Sequence, residues 1–270
     1  MSSEIFSFRG TQDNLITIPA SDVINAILKG NNVDIEYAII TGDLDMRRIA
    51  SSAKRNGETV ISGSVKVDYS EILGNLYFEH IRFDENLSFK STVFNGGVDF
   101  RLSSFKGGTS FESATFNGHT DFRSSDFGCD VNFAESKFMQ GIRFKSCRFE
   151  GSADYSSAVF GTASATHSTI NCAYFDSANF RRDASFKLAN FNVNAFFSAT
   201  VFQGETDFRS ATFKGIVDFK AAMFDGNLYF VDVNLNDRAY ITDSKIDMSF
   251  ATFKKCAVLG NISFGICTIR

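Results

Sequence analysis

A chain of 270 residues, 44% apolar and 21% charged, has the balance of a globular protein and room for one large core or two smaller ones. Its net charge of −4, from 31 acidic and 27 basic residues, is too small to announce a nucleic-acid binder or a strongly acidic mimic. No stretch approaches the roughly 20 apolar residues of a membrane span. The start, MSSEIFSFRG, lacks a secretory leader's basic and apolar regions, and five cysteines without CxxC spacing read as the reduced thiols of a cytoplasmic protein.

Residues 1–32 form an N-terminal segment whose main element is a helix predicted over 19–29. Ser21 is placed to cap it, and Asp22 suits its first turn. Val23, Ile24, Ile27 and Leu28 give an apolar face, and Gly30 ends it. Its expected role is to cover the first coil of the repeat region that begins at residue 33.

From residue 33 the chain is one repeat. Ile35, Ile40 and Met46 open it, and ASSAKRNGE (50–58) interrupts it as an exposed loop. Ile61, Val67 and Ile72 resume it, and from Phe78 the large residue is almost always Phe. Phe100, Phe111, Phe122 and Phe133 belong to this ladder, with further Phe between them, so that the gaps alternate five and six. After Phe160 the spacing fits three plain five-residue units centred on Ala165, Ile170 and Phe175, where the coil should tighten. Phe208, Phe213, Phe219, Phe224 and Phe230 continue the alternation, and Leu235, Ile241 and Ile246 carry it with aliphatic side chains.

An 11-residue period can mark a helical coil. At about 100° per residue, however, a five-residue step turns about 140° and leaves successive Phe on different helix faces. The neighbours decide for strands. Two residues before each ladder residue stands a small or β-branched side chain, such as Ala114, Val131 or Val217, and the residue between is polar, such as Asp99, Asp121 or Asp218. That alternation has period two. Each unit is too short to bury itself and must stack on copies above and below, as in a solenoid. The six-residue steps carry glycine two places past the ladder residue, at Gly96, Gly107, Gly118, Gly204, Gly215 and Gly226, where a bulged corner with φ > 0 is expected.

Units such as ATFKG, ANFRR and SSFKG resemble the pentapeptide-repeat family, and the resemblance runs over residues 33–269. It implies an all-β fold: a right-handed, four-sided (quadrilateral) β-helix with the large residue inward, here with a short N-terminal capping helix. Two departures stand out: Phe replaces the family's central Leu, and every second unit has six residues. Coils of about 22 residues are implied, about 11 of them, making a rod roughly 50 Å long at ~4.8 Å per strand.

Chemistry is sparse. His80, His119 and His167 fall in separate coils, and Asp43 and Asp45 fit outward positions, so no metal site, cofactor site or catalytic group is predicted. Cys147 occupies a small inward slot. Residues 22 apart stack into surface columns: Arg101, Arg123 and Lys145 form a candidate anion-binding stripe, which Asp99 and Asp121 can neutralise. Tyr174 and Phe196 form a candidate partner surface of exposed aromatics.

The expected function is a non-enzymatic, rod-shaped interaction or scaffold protein whose partner the sequence does not identify. The apolar C-terminal coil, AVLGNISFGICTIR, suggests a homodimer. The alternative, implied by the resemblance, is a DNA mimic that binds a type II topoisomerase (gyrase) and inhibits or protects it. Charge opposes it: residues 80–150 hold nine acidic and nine basic residues. Nucleic-acid binding and membrane insertion are not expected.

Overall fold

The computed structural model describes residues 4–47, 54–55, 58–162, 171–235, 246–260 and 263–264. Among the described residues the chain winds through four sheets, parallel except for one antiparallel pair in the fourth, visited in fixed order, with 11, 11, 9 and 10 strands on the first to fourth faces. Most strands are two residues long. A strand so short survives because each coil repeats the same pair above and below it; for example, Val98–Asp99 lies between Leu76–Tyr77 and Thr120–Asp121. The result is the expected four-sided β-helix with one helix.

The Phe ladder fills the interior. Rings stack within each face's column at strand spacing, as Phe94 on Phe116 (4.8 Å, 3°) and Phe127 on Phe149 (4.9 Å, 1°). Columns of opposite faces meet edge to face, Phe122 lying 5.6 Å from both Phe111 and Phe133 at 78° and 82°. Both geometries suit the ring quadrupole. Alternate gaps of five and six therefore have a direct meaning. Five residues carry the chain from the first face to the second and from the third to the fourth, and six carry it round the other two corners.

The two corners differ from expectation. The left-handed backbone lies on the five-residue corners and is adopted by ordinary residues: Ser91 (φ 54°), Leu102 (58°), Ser113 (57°) and Ser124 (59°). Their N–H groups bond to the next coil, Ser113 to Ala134 O at 2.8 Å and Ser124 to Lys145 O at 3.0 Å, which holds a conformation L-residues otherwise avoid. At most six-residue corners glycine serves close approach instead of positive φ. A Cβ on Gly96 would lie 2.5 Å from Gly74 O, and one on Gly107 would lie 2.6 Å from Glu85 C. Asn and Asp side chains bridge these corners: Asn75 Oδ1 accepts from Gly97 N (2.8 Å), and Asp43 Oδ1 from Asn75 N (2.7 Å).

The small inward slots also hold more than packing. Ser103, Ser125, Ser136 and Thr200 are buried there, and each hydroxyl donates to the carbonyl of the ladder Phe 25 residues earlier, at 2.6–2.8 Å. The carbonyls of Phe100, Phe111 and Phe175 also accept a backbone N–H from three residues on, so the hydroxyl adds a second bond to a carbonyl closed off from water. Cys147 does the same through Sγ, 2.8 Å from Phe122 O.

Register corrects three readings. Phe160 pairs with Phe191, 31 residues on, and Phe149 with Phe180, also 31 on, so nine residues beyond the period enter between Phe160 and Phe175 without adding a side. The predicted units at Ala165 and Ile170 lie outside the described residues, and the flanking coils show no tightening. Ile246 pairs with Val217 in the small-slot register, which puts Met248 at the ladder position; Ile241 lies outside the described residues. Of the predicted 50–58 loop, Lys54–Arg55 is a strand that pairs antiparallel with the strand Glu58–Ile61.

At the N-terminus, strands Ile5–Arg9 and Ile16–Pro19 already extend the first and second sheets, pairing with 32–36 and 38–41. The helix is Ala20–Leu28. Its N-cap is Pro19, extended at φ −64° and ψ 137°, and not Ser21, whose hydroxyl lies 3.4 Å from Asp22 Oδ1. Sheet pairing holds the chain extended up to Pro19, and this sets the helix start. Gly30 (φ 75°) ends it as expected. Val23, Ala26 and Ile27 are buried in the core cluster, so the helix covers the coil below it. Among the described residues no helix covers the C-terminal coil: Phe253 stacks on Phe224 at 5.2 Å, yet Leu259 is 56% exposed.

One core residue breaks the apolar rule. Tyr155 stacks between Phe133 and Phe186 (5.2 and 5.0 Å), fully buried, and its hydroxyl has no hydrogen-bond partner. Burial drives its pKa well above the usual tyrosine value. Tyr155→Phe is expected to stabilise the protein by about 1 kcal/mol, since it removes an unmet buried donor and keeps the ring. Urea unfolding measures this, and a loss of stability would show that the hydroxyl is satisfied in solution.

Candidate interaction surface

Because side chains alternate along each strand, the middle residue of every unit faces outward, and equivalent residues of successive coils form a column. On the third face this column runs from Asp45 through Tyr77, Asp99, Asp121, Arg143, Tyr174, Phe196 and Asp218 to Asp247. The residue after each ladder residue forms a second column beside it, containing the predicted Arg101, Arg123 and Lys145.

The aspartates belong to the corners. Asp99 Oδ1 accepts from the backbone N–H of Arg101 and Asp121 Oδ1 from that of Arg123, both at 3.0 Å, just before the left-handed residue turns the chain. The same bond recurs at Asp45, Asp154, Asp207, Asp218 and Asp247. Such local side-chain acceptors favour turns. The arginines fold back onto the same carboxylates: Arg101 lies 2.6 Å from Asp99 and 2.5 Å from Glu79, and Arg123 lies 2.7 Å from Asp121. The carboxylates raise both guanidinium pKa values, the guanidinium hydrogen bonds to Asp99 and Asp121 being the largest causes. Lys145 is exposed. From Glu79 to Arg123 the column is a series of paired charges, in which both arginines already hold carboxylates.

Tyr174 and Phe196 interrupt that series. Their rings stack at 5.2 Å and 14°, both partly exposed. Beside them stand Asp176, half-buried, and Asp218, which accepts from Ser198 Oγ at 2.8 Å and from Lys220 N at 2.7 Å. Desolvation raises the Asp176 pKa, and Lys145 partly opposes the shift.

Little else among the described residues is reactive. A shallow concavity lies among His119, Gln140, Arg143, Cys172 and Tyr174, without enclosed space for a small molecule. Burial pushes the Cys147 thiol far up, which removes it as a nucleophile at ordinary pH. His80 and His119 are exposed on different corners, and His167 lies outside the described residues. No cluster of three metal-ligating side chains occurs among the described residues. Among the described residues no helix is long and apolar enough to cross a membrane.

Sequence periodicity placed Tyr174 and Phe196 on one column but missed Asp176 and the corner role of the aspartates. The recurring Asp-Phe-Arg triplets (99–101, 121–123, 207–209) were the available signal. In comparisons with known proteins, a family model described as pentapeptide repeats, nine copies, matches residues 89–137 and 197–245. No curated protein and no solved structure matches the chain.

Proposed function

Because the chain is a pentapeptide-repeat protein, we propose that it is a non-enzymatic scaffold that docks a protein partner on the third face of its β-helix, in the cytoplasm, where its thiols stay reduced. The observation that carries this is the stacked, partly exposed Tyr174–Phe196 pair in a column otherwise made mostly of charged residues. Aromatic residues concentrate binding energy in protein interfaces, and a core packed with Phe offers a rigid surface and little space for a substrate.

DNA mimicry has less support. A mimic needs carboxylates available along one side, whereas Asp45, Asp99, Asp121 and Asp207 are paired with Arg47, Arg101, Arg123 and Arg209. The exposure of Leu259 and Phe250 (56% and 82%) among the described residues of the C-terminal coil supports association of two copies there.

Crosslinking in the native cell, read by mass spectrometry, tests these points together. The expected result is crosslinks from the third face near residues 174–220 to one partner protein, and links between two copies within 246–260. Crosslinks confined to other faces would overturn the docking surface. Inhibition of gyrase supercoiling by the purified chain would replace the scaffold reading with the topoisomerase mimic.

A further inference from the structure

Two outward aromatic side chains of this rod are covered by the protein's own arginines. The Arg47 guanidinium lies 3.5 Å from the centre of the Tyr77 ring, and that of Arg209 lies 5.1 Å from the centre of the Tyr229 ring. Both pairs obey one rule: the arginine comes directly after the ladder residue of one coil, and the ring occupies the outward position of the next coil on the same face. Each arginine is also held by the aspartate two residues before it, Asp45 or Asp207, so aromatic face and carboxylate together clasp a planar cation.

Phe196 occupies the ring's place in this arrangement, and the residue in the arginine's place is Asp176. Negative charge stands where Tyr77 and Tyr229 have a cation. Around it, Asp218 lies one coil above Phe196 in the same column, with Lys220 beside it; Arg143 and Lys145 lie one coil below Tyr174 and Asp176. Toward the N-terminus, Asp45, Asp99 and Asp121 are each ion-paired. Among the described residues, Asp176 and Asp218 take part in no ion pair. An aromatic face and two carboxylates lacking ion pairs thus share one partly exposed patch.

We propose that Phe196, Asp176 and Asp218 form a socket for an arginine side chain of the partner protein, whose guanidinium lies against the part of the Phe196 ring that Tyr174 leaves open. The proposal rests on the scaffold reading and names the chemistry of the docked group. Arginine fits better than lysine, because its flat guanidinium stacks on a ring while donating sideways to carboxylates.

The test is a titration of the full-length, ¹⁵N-labelled chain with an N-acetylated oligo-arginine amide, with oligo-lysine and oligo-citrulline as comparisons. Shift changes should centre on residues 174, 176, 196, 198 and 218, and arginine should bind more tightly than lysine, with citrulline weakest. Phe196→Ser and Asp176→Asn should each weaken binding about tenfold, while Glu205→Gln, on the corner between the fourth and first faces, should leave it unchanged. Shifts spread over acidic residues of all faces, equal affinity in the variants, or no binding would each overturn the socket. If the socket fails while crosslinks still map a partner to the third face, the scaffold reading stands. Local arginine binding without such crosslinks would retain the socket and remove the docking surface.

Discussion

Phe122→Ala is expected to cost about 3–5 kcal/mol, the range for truncating a buried aromatic without collapse of the site. The ring is fully buried at mid-rod. It stacks on Phe100 and Phe144 at 5.0 and 5.1 Å and meets Phe111, Phe127 and Phe133 across the interior. Six ladder rings, Phe105 at 6.5 Å included, lose a neighbour at once, and the coils around them are held in place by stacked strands of two residues each. Since each coil touches only its neighbours, the damage should also weaken coupling between the two halves of the rod. Urea unfolding should show a lower midpoint and a broader transition. The comparison is Phe253→Ala in the C-terminal coil, where the ring is already 39% exposed and less burial is lost. Equal losses in the two variants would show that the interior column is not the main source of stability.

Gly96→Ala should cost about 2 kcal/mol, within the range for overpacking, whereas Gly97→Ala should change stability by less than about 0.5 kcal/mol. The two glycines are adjacent, and their surroundings differ. A Cβ on Gly96 meets Gly74 O at 2.5 Å, Gly74 C at 2.7 Å and Asn75 N at 2.8 Å, all backbone of the coil below. To relieve this the coils must separate, which stretches the bonds that join them. On Gly97 the nearest atom is Asn75 Oδ1 at 3.5 Å, an ordinary contact. Where a side chain does occupy such a corner, as at Glu85 or Cys129, glycine returns in the coil above, at Gly107 and Gly151. Thermal unfolding of the two variants side by side decides the point. Equal effects would mean that the glycine preference arises from flexibility in the unfolded chain instead.

Much of the candidate surface was hidden because its signal is not periodic. Tyr174 and Phe196 could be placed because 22-residue spacing defines a column. Asp176 could not be distinguished from any other outward acid, since its meaning depends on which coil's arginine lies over which coil's ring. The corner glycines show the same limit. Their recurrence was legible, but the obvious explanation, positive φ, belongs at the other corners, where Ser91, Leu102 and Ser113 adopt it without any glycine to mark it. Serines in the inward slots looked merely small until their hydroxyls were seen to meet the carbonyls of the coil below.

The amino-acid sequence by itself determined the repeat and the inward and outward residues, because a ladder of Phe at gaps of five and six can be buried only by stacking equivalent residues; the four-sided coil was implied by the resemblance to pentapeptide repeats. Only the tertiary structure decided where extra residues leave the coil, which corners hold left-handed backbone, and which surface charges are already paired. Those outcomes depend on the register between coils and on contacts across 22 or more residues. A single chain read in order shows its spacing, but the neighbour above or below each residue exists only once the coils are stacked.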